Sequence, residues 1–457
     1  MSIAITADMT RESALIGARI DRLPTWGVSN FSKVIFVAAY FSSFYDSVSV
    51  GLVLPNITKT LPLTGGQEVW PVTTGLVGYV IGALLLGRTG DKIGRRAALF
   101  ISMTIMAVFC VLSGFAWNAM SLSVFRFVLG IGIGAQLSLS ATFMNELSPS
   151  HERDINIQRN FIWSGLAMAS TPFLILAFNL TGPDLGWRLT LGIGGLTIIP
   201  AVLLLLQPES PRWLVTRGRN AKAEEAVKIM EDRLQRRGFN LSPVLEAPPV
   251  EAVSSKVSSR ILFRKPYVSR LAVITIFFVF GNIVGTGELA FITTILNMLS
   301  HGKQYGVLMS AAGGLMLPVG AALPLFLLNK ISRRLLMALG CWLFALGTIL
   351  IGASLGVFVT TLGTAVIGLG LLSGIGVGYI YASEIFPTTV RASALGFADG
   401  LGHLGGMGAP ALVFVFLERW GARGALDLMA GIEIVAGLFI VAFGVRNTET
   451  LATEDFS

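Results

Sequence analysis

The chain has 457 residues, of which 53% are hydrophobic and only 13% charged, and its mean hydropathy is +0.72. Soluble domains carry about 25% charged residues, so this composition excludes an ordinary soluble protein and places the chain in a lipid bilayer. The formal charge of +8 would suit a nucleic-acid binder, but the basic residues fall mainly in alternate loops. That pattern sets membrane topology, and no nucleic-acid partner is expected.

A spanning helix needs about 20 mostly apolar residues. Twelve such runs begin near Val34, Val69, Ala97, Ala119, Asn160, Trp187, Leu271, Val307, Leu335, Val357, Ala392 and Ala425. Before them, residues 1–33 form an arm with Arg11, Arg19 and Arg22 but no short apolar core followed by a cleavage site, so no removable signal peptide is expected. Residues 34–206 hold six spans. Residues 207–270 turn charged, and AKAEEAVKIMEDRLQRR reads as an amphipathic surface helix in a linker. This linker ties the halves together and permits their relative motion, with a partner-binding role as the alternative. Residues 271–445 hold six more spans and 446–457 a tail. With both termini in the cytoplasm, 28 of the 34 Lys and Arg lie inside, five lie outside, and Arg126 is within a span. A multi-pass protein of the cytoplasmic membrane is expected. Cys110 and Cys341 fall within spans, as packed thiols rather than a disulfide. No metal site and no bound cofactor are expected.

Two stretches repeat. NELSPSHER at Asn145 to Arg153 and SEIFPTTVR at Ser383 to Arg391 place Glu, Pro and Arg at one spacing, 238 residues apart. At the same offset GRTGDKIGRR (Gly87 to Arg96) falls on LFLLNKISRR (Leu325 to Arg334), and Gly130 and Gly132 fall on Gly368 and Gly370. The chain is therefore two matched six-helix halves, an organisation suited to alternating access around a midplane site. The second copy puts Asn329 for Asp91 and Ser332 for Gly94.

These motifs, with PESPRWL at Pro208 to Leu214, resemble the major facilitator superfamily, in particular its sugar porters, metabolite:proton symporters and organic ion transporters. The resemblance covers essentially the whole chain. It implies an all-α membrane protein of twelve transmembrane helices in two pseudo-symmetric six-helix bundles, acting as a monomer. It also implies a cytoplasmic gate in which Asp91, Arg95, Arg96, Glu146, Arg153, Arg333, Arg334, Glu384 and Arg391 pair across the halves. The alternative is a set of solvated, topology-setting charges.

Charges inside a span are costly unless paired or hydrated. Asp46, in FSSFYDSVSVGLVLP, and Arg126, in FRFVLGIGIGAQL, are of this kind. The resemblance to proton-coupled sugar porters implies that they form the coupling pair, a static ion pair being the alternative. Glu288, in GNIVGTGELAF, reads as a cavity-lining acid, against a structural or relay acid near the outer end. Asp399 and His403 stand four residues apart on one helix face, where an imidazole can sense pH or hold an anion; a packed histidine is the alternative. In the organic ion branch the position matching His403 carries an acid or an arginine, so His403 departs from both. Glu433 reads as a peripheral support.

Sugar recognition needs several amides, because unpaired buried polar groups are expensive. Here the fifth-helix glutamine position of sugar porters holds Phe161, a tenth-helix tryptophan position holds Tyr379, and no glutamine pair occurs in the seventh span. Trp163, Tyr379 and Tyr381 can stack on a planar ligand while Arg126 or His403 holds a carboxylate. The expected function is proton-coupled transport of a small organic metabolite, with an organic or aromatic carboxylate ahead of sugar. The alternatives are a sugar:proton symporter and a proton-coupled exporter of amphipathic drugs or organic cations. No metal-spaced cluster, phosphate loop or nucleophile with a nearby base is identified, so an enzyme is not expected.

Overall fold

The computed structural model describes residues 2–61, 63, 66–244, 259–299, 305–328, 330–386 and 388–446. All regular elements among them are helical. Ser29 caps the first span, Asn30–Thr60, by accepting a hydrogen bond from the Ser32 backbone. The second and third spans, Trp70–Ile93 and Arg95–Gly114, meet at Gly94, whose φ of 106° suits only glycine. Asn118 and Ser121 form a reciprocal cap on the fourth span, Ala119–Leu147. The fifth is Arg153–Asn179, and the sixth joins Pro183–Gly192 to Ile198–Leu204 through a tighter turn at Ile193–Thr197.

In the second half the seventh span is Tyr267–Leu299, and the eighth breaks into Gly306–Gly314 and Leu317–Leu327 ahead of Pro318. The ninth and tenth are Arg333–Gly352 and Val357–Ile385. The last helix, Thr388–Phe443, changes direction at Gly421, whose φ of 68° and ψ of −170° are non-helical. Counted as two spans across that bend, it completes the twelve expected. The first, fifth, sixth, seventh and eleventh spans begin one or two turns before their apolar runs, because a helix carries polar residues past the hydrocarbon edge.

Both termini of the described chain and the segment between the halves lie at one end of the bundle, here called the linker face; the opposite end is the far face. At the far face a single hydrophobic cluster is built from both halves, including Val53, Leu54, Ile57 and Met168 of the first half and Phe291, Ile295, Leu317 and Ile367 of the second. The closest approaches are backbone to backbone. A Cβ on Gly51 would lie 1.7 Å from the Leu289 carbonyl oxygen, and one on Gly165 would lie 2.9 Å from Pro318. At the linker face the halves keep separate clusters, one around Phe36, Leu99 and Phe143 and the other around Phe277, Met337 and Phe386.

The linker is more built than a solvated tether. Its helix, Asn220–Arg236, buries Ala223 and Val227 against Ile16 and Ile20 of the arm helix, Ser2–Asp21, and against Trp213. Glu231 holds Arg19 at 2.6 Å and Arg22 at 2.8 Å. Burial alone would raise its pKa, but the hydrogen bonds from Arg19 and Arg22 outweigh that and hold it below the usual carboxylate range. Residues 245–258 of the linker and 447–457 of the tail lie outside the described residues.

Candidate substrate and coupling site

Asp46 and Arg126 meet inside the first half. Arg126 Nη1 donates to Asp46 Oδ1 at 2.8 Å, with the two residues only 1% and 4% exposed. The Cys110 thiol reaches the same oxygen at 3.6 Å, while Asp46 Oδ2 and Arg126 Nε have no hydrogen-bond partner. A one-point pair with a vacant carboxylate oxygen is held less firmly than a two-point fork. Arg126 also packs on Gly75 of the second span, where an added Cβ would lie 3.6 Å from its carbonyl oxygen.

One helical turn from Gly75, Tyr79 crosses between the halves. Its ring stacks on His403 of the eleventh span, with centroids 4.5 Å apart and planes 14° from parallel. His403 Nδ1 lies 2.9 Å from the Asp399 backbone oxygen and 3.6 Å from its Oδ2. A carbonyl only accepts, so Nδ1 carries a hydrogen. The Tyr379 hydroxyl donates to Asp399 Oδ1 at 2.8 Å. Around Tyr379 stand Phe161 at 6.0 Å and Phe278 at 5.1 Å between centroids, and Phe44 lies 6.3 Å beyond Phe161. A polar group and an aromatic layer thus face each other at mid-depth, on the seam between halves. Tyr79, Phe44 and Phe278 are absent from the sequence expectation, since an aromatic residue in an apolar helix carries no signal of which face it serves.

Three expected members stand elsewhere, and for Trp163 and Tyr381 the reason is helical geometry. Residues two apart on a helix point about 200° away from each other. Phe161 faces the seam, so Trp163 faces outward, 44% exposed, in a stripe with Leu166 and Phe173. Tyr379 faces the seam, so Tyr381 is buried in the core of the second half, where its hydroxyl accepts from the Val445 backbone at 2.8 Å. Glu288 lines a different cavity, of about 60 Å³, nearer the far face. Glu433 is buried away from the seam.

The gate residues gather within each half. Arg95 holds Asp91 at 2.6 Å and Glu146 at 2.9 Å, while Arg333 holds Glu384 at 3.1 Å. The resemblance implies pairing across the halves; in this structure the described pairs are local, because each arginine opens a helix beside the closing turn of its acid's helix. Arg96 donates to the carbonyls of Leu205 and Gln207, and Arg334 to those of Val441 and Gly444. Arg153 faces Asp21 of the arm at 3.7 Å. The side chain of Arg391 and the whole of Asn329 lie outside the described residues. Glu209 of the PESPRWL motif, not singled out by sequence, accepts from the backbone of Arg95 and Arg96 at 3.1 Å, capping the third span.

The sugar (and other) transporter family matches residues 35–457. A putative metabolite transport protein of Escherichia coli, YdjK, is 28% identical over 96% of each chain. The niacin transporter NiaP of Acinetobacter baylyi is 27% identical over 87% of this chain and 89% of its own. Among solved structures, the xylose transporter XylE of Escherichia coli, in a partially occluded inward open conformation, superposes with a TM-score of 0.73 at 17% identity, covering 91% of this chain and 97% of that one. That likeness concerns the fold, which is the major facilitator fold.

Proposed function

The chain belongs to the sugar (and other) transporter family, and from that premise we propose that it is a proton-coupled carrier of a small planar organic acid. The observation that carries this reading is the aromatic layer on the seam, Phe44, Phe161, Phe278 and Tyr379, with His403 joined to it through Asp399. Aromatic faces suit a flat ring, and a second proton on His403 would let Nε2–H donate to its carboxylate. Niacin, the solute in the name of one relative, has that chemistry. A pentose has equal standing as a second reading, favoured by the likeness to a xylose transporter and by Asp399 as a hydroxyl acceptor.

We take the linker face as the cytoplasmic one, from the excess of Lys and Arg on that side, and the separated clusters there then read as an inward-facing state. Coupling runs through Asp46. A proton on the vacant Oδ2 removes the charge that holds Arg126, which already lacks a partner at Nε. Arg126 packs on Gly75, one turn from Tyr79, so its release is felt where Tyr79 meets His403 across the seam. A few such contacts suffice to bias two states separated by a few kcal/mol. The carrier acts as a monomer, since each half supplies part of one seam.

The test is uptake into proteoliposomes of nicotinate, benzoate, xylose and an organic cation, with and without a proton gradient. Saturable, gradient-driven uptake of the acids is expected. Xylose uptake alone selects the sugar reading, and uptake of the cation alone contradicts both. Asp46→Asn should keep solute exchange and lose gradient-driven accumulation; unchanged accumulation would remove Asp46 from coupling.

A further inference from the structure

We propose that Glu288 is a second proton site of the carrier, separate from Asp46, and that its proton is required for the far face to close. The proposal rests on the reading of the chain as a proton-coupled carrier. Glu288 lies on the seventh span and opens into the cavity of about 60 Å³ lined by both halves. Its Oε2 is shut from solvent and has no hydrogen-bond partner, and the nearby Ser310 hydroxyl also has none.

Among the described residues that line this cavity, none balances a negative charge on Glu288. The first span contributes Val48 and Leu52 to the cavity, the fifth Met168 and Pro172, the eighth Ser310 and Leu317, and the tenth Thr364 and Leu371. From the eleventh, Val413 packs at the neighbouring Gly287. None of these is titratable. An ionised carboxylate without a partner is strongly disfavoured in such surroundings. Asp46 differs, because Arg126 is bound to it. A metal cation is a poor occupant: hard cations take about six or more oxygen ligands, and this cavity offers one carboxylate and one free hydroxyl, the Thr364 hydroxyl being engaged with Met309. A proton needs only the carboxylate.

The location gives the proton a consequence. Leu289, next in sequence, makes the tightest contact of the far seam, against Gly51. Parting of the first and seventh spans there brings Glu288 to water, where ionisation is cheap. Closing them buries it again, which its neutral form tolerates. Glu288 therefore exchanges its proton with the far compartment in the open state and keeps it in the closed one.

The experiment is labelling of Ile292→Cys, a cavity-lining position, by a membrane-impermeant maleimide in sealed vesicles with the far face outward. Rates are divided by those of the denatured protein at each pH to remove the thiol's own titration. Both native cysteines are buried. Labelling should rise several-fold from acid to alkaline pH with Glu288 present, and stay low and flat in Glu288→Gln. Glu288→Asp should restore the rise, which rules out misfolding as the cause of the flat profile. Asp46→Asn should keep the rise, separating this site from the coupling pair. An equal rise in Glu288→Gln, no rise with Glu288 present, or loss of the rise in Asp46→Asn would each overturn the proposal. So would labelling that follows sodium at fixed pH. Solute uptake is read in the separate proteoliposome assay, so failure of the carrier reading and failure of this one are told apart.

Discussion

The two ends of the seam are built differently. At the far face, residues of both halves share one hydrophobic cluster and touch backbone to backbone at Gly51 and Gly165. At the linker face, each half closes on its own cluster and its own ion pairs, Arg95 with Asp91 and Glu146, Arg333 with Glu384. The difference teaches how the seam can reverse. The far end is closed by apolar fit, which is non-directional and roughly proportional to area, and the linker end is managed by charges whose partners can change. Between them the aromatic layer and the Tyr79–His403 stack mark the depth at which one regime gives way to the other.

That contrast predicts where damage is structural and where it is kinetic. Arg126→Leu leaves Asp46 buried without its partner and should cost about 3–5 kcal/mol of stability, read as a fall in thermal unfolding temperature in detergent. Adding Asp46→Asn should recover most of it; no recovery would mean that the pair is not the source. Gly51→Val puts side-chain atoms into the Leu289 backbone and should slow transport by about tenfold or more, roughly 1.4 kcal/mol in barrier, with unfolding little changed. A loss of folded protein instead would move the far seam from gate to core.

At the linker face, Arg333→Gln should alter transport less, since partly exposed pairs contribute about 0–1 kcal/mol each. A tenfold change would give that face the far end's weight. The smallest effect concerns the arm. Because the folded-state pKa of Glu231 is depressed, its contribution is fully present above the ordinary carboxylate value of about 4.3 and is lost as pH falls through the folded value. Proteolysis of the arm should therefore accelerate on acidification, and Glu231→Gln should make it fast at every pH. An unchanged profile in that variant would detach the arm from this contact.

Much of this was legible in the chain. Apolar run length marked the twelve spans, and the 238-residue offset between Glu146 and Glu384 exposed the two halves. Asp46 and Arg126 stood out because charges in a span need a partner, and Asp399 and His403 share a face because they are four residues apart. The aromatic layer was half legible. Chemistry alone groups Phe161 with Trp163, and Tyr379 with Tyr381, although residues two apart cannot share a helix face. Tyr79 was silent, since its partner lies in the opposite half and only packing joins them. The local pairing of the gate was equally hidden, because packing, not sequence spacing, decides which helix end lies beside which acid.

The most direct test of a reversing seam is a pair of distances measured in one sample. Spin labels at the exposed Lys92 and Lys330 report the linker face, and labels at Lys59 and Met298 report the far face. On raising the pH with a transported solute present, the linker-face distance should shorten while the far-face distance lengthens. Two distances that moved together, or a far face that never parted, would contradict alternating access around this seam.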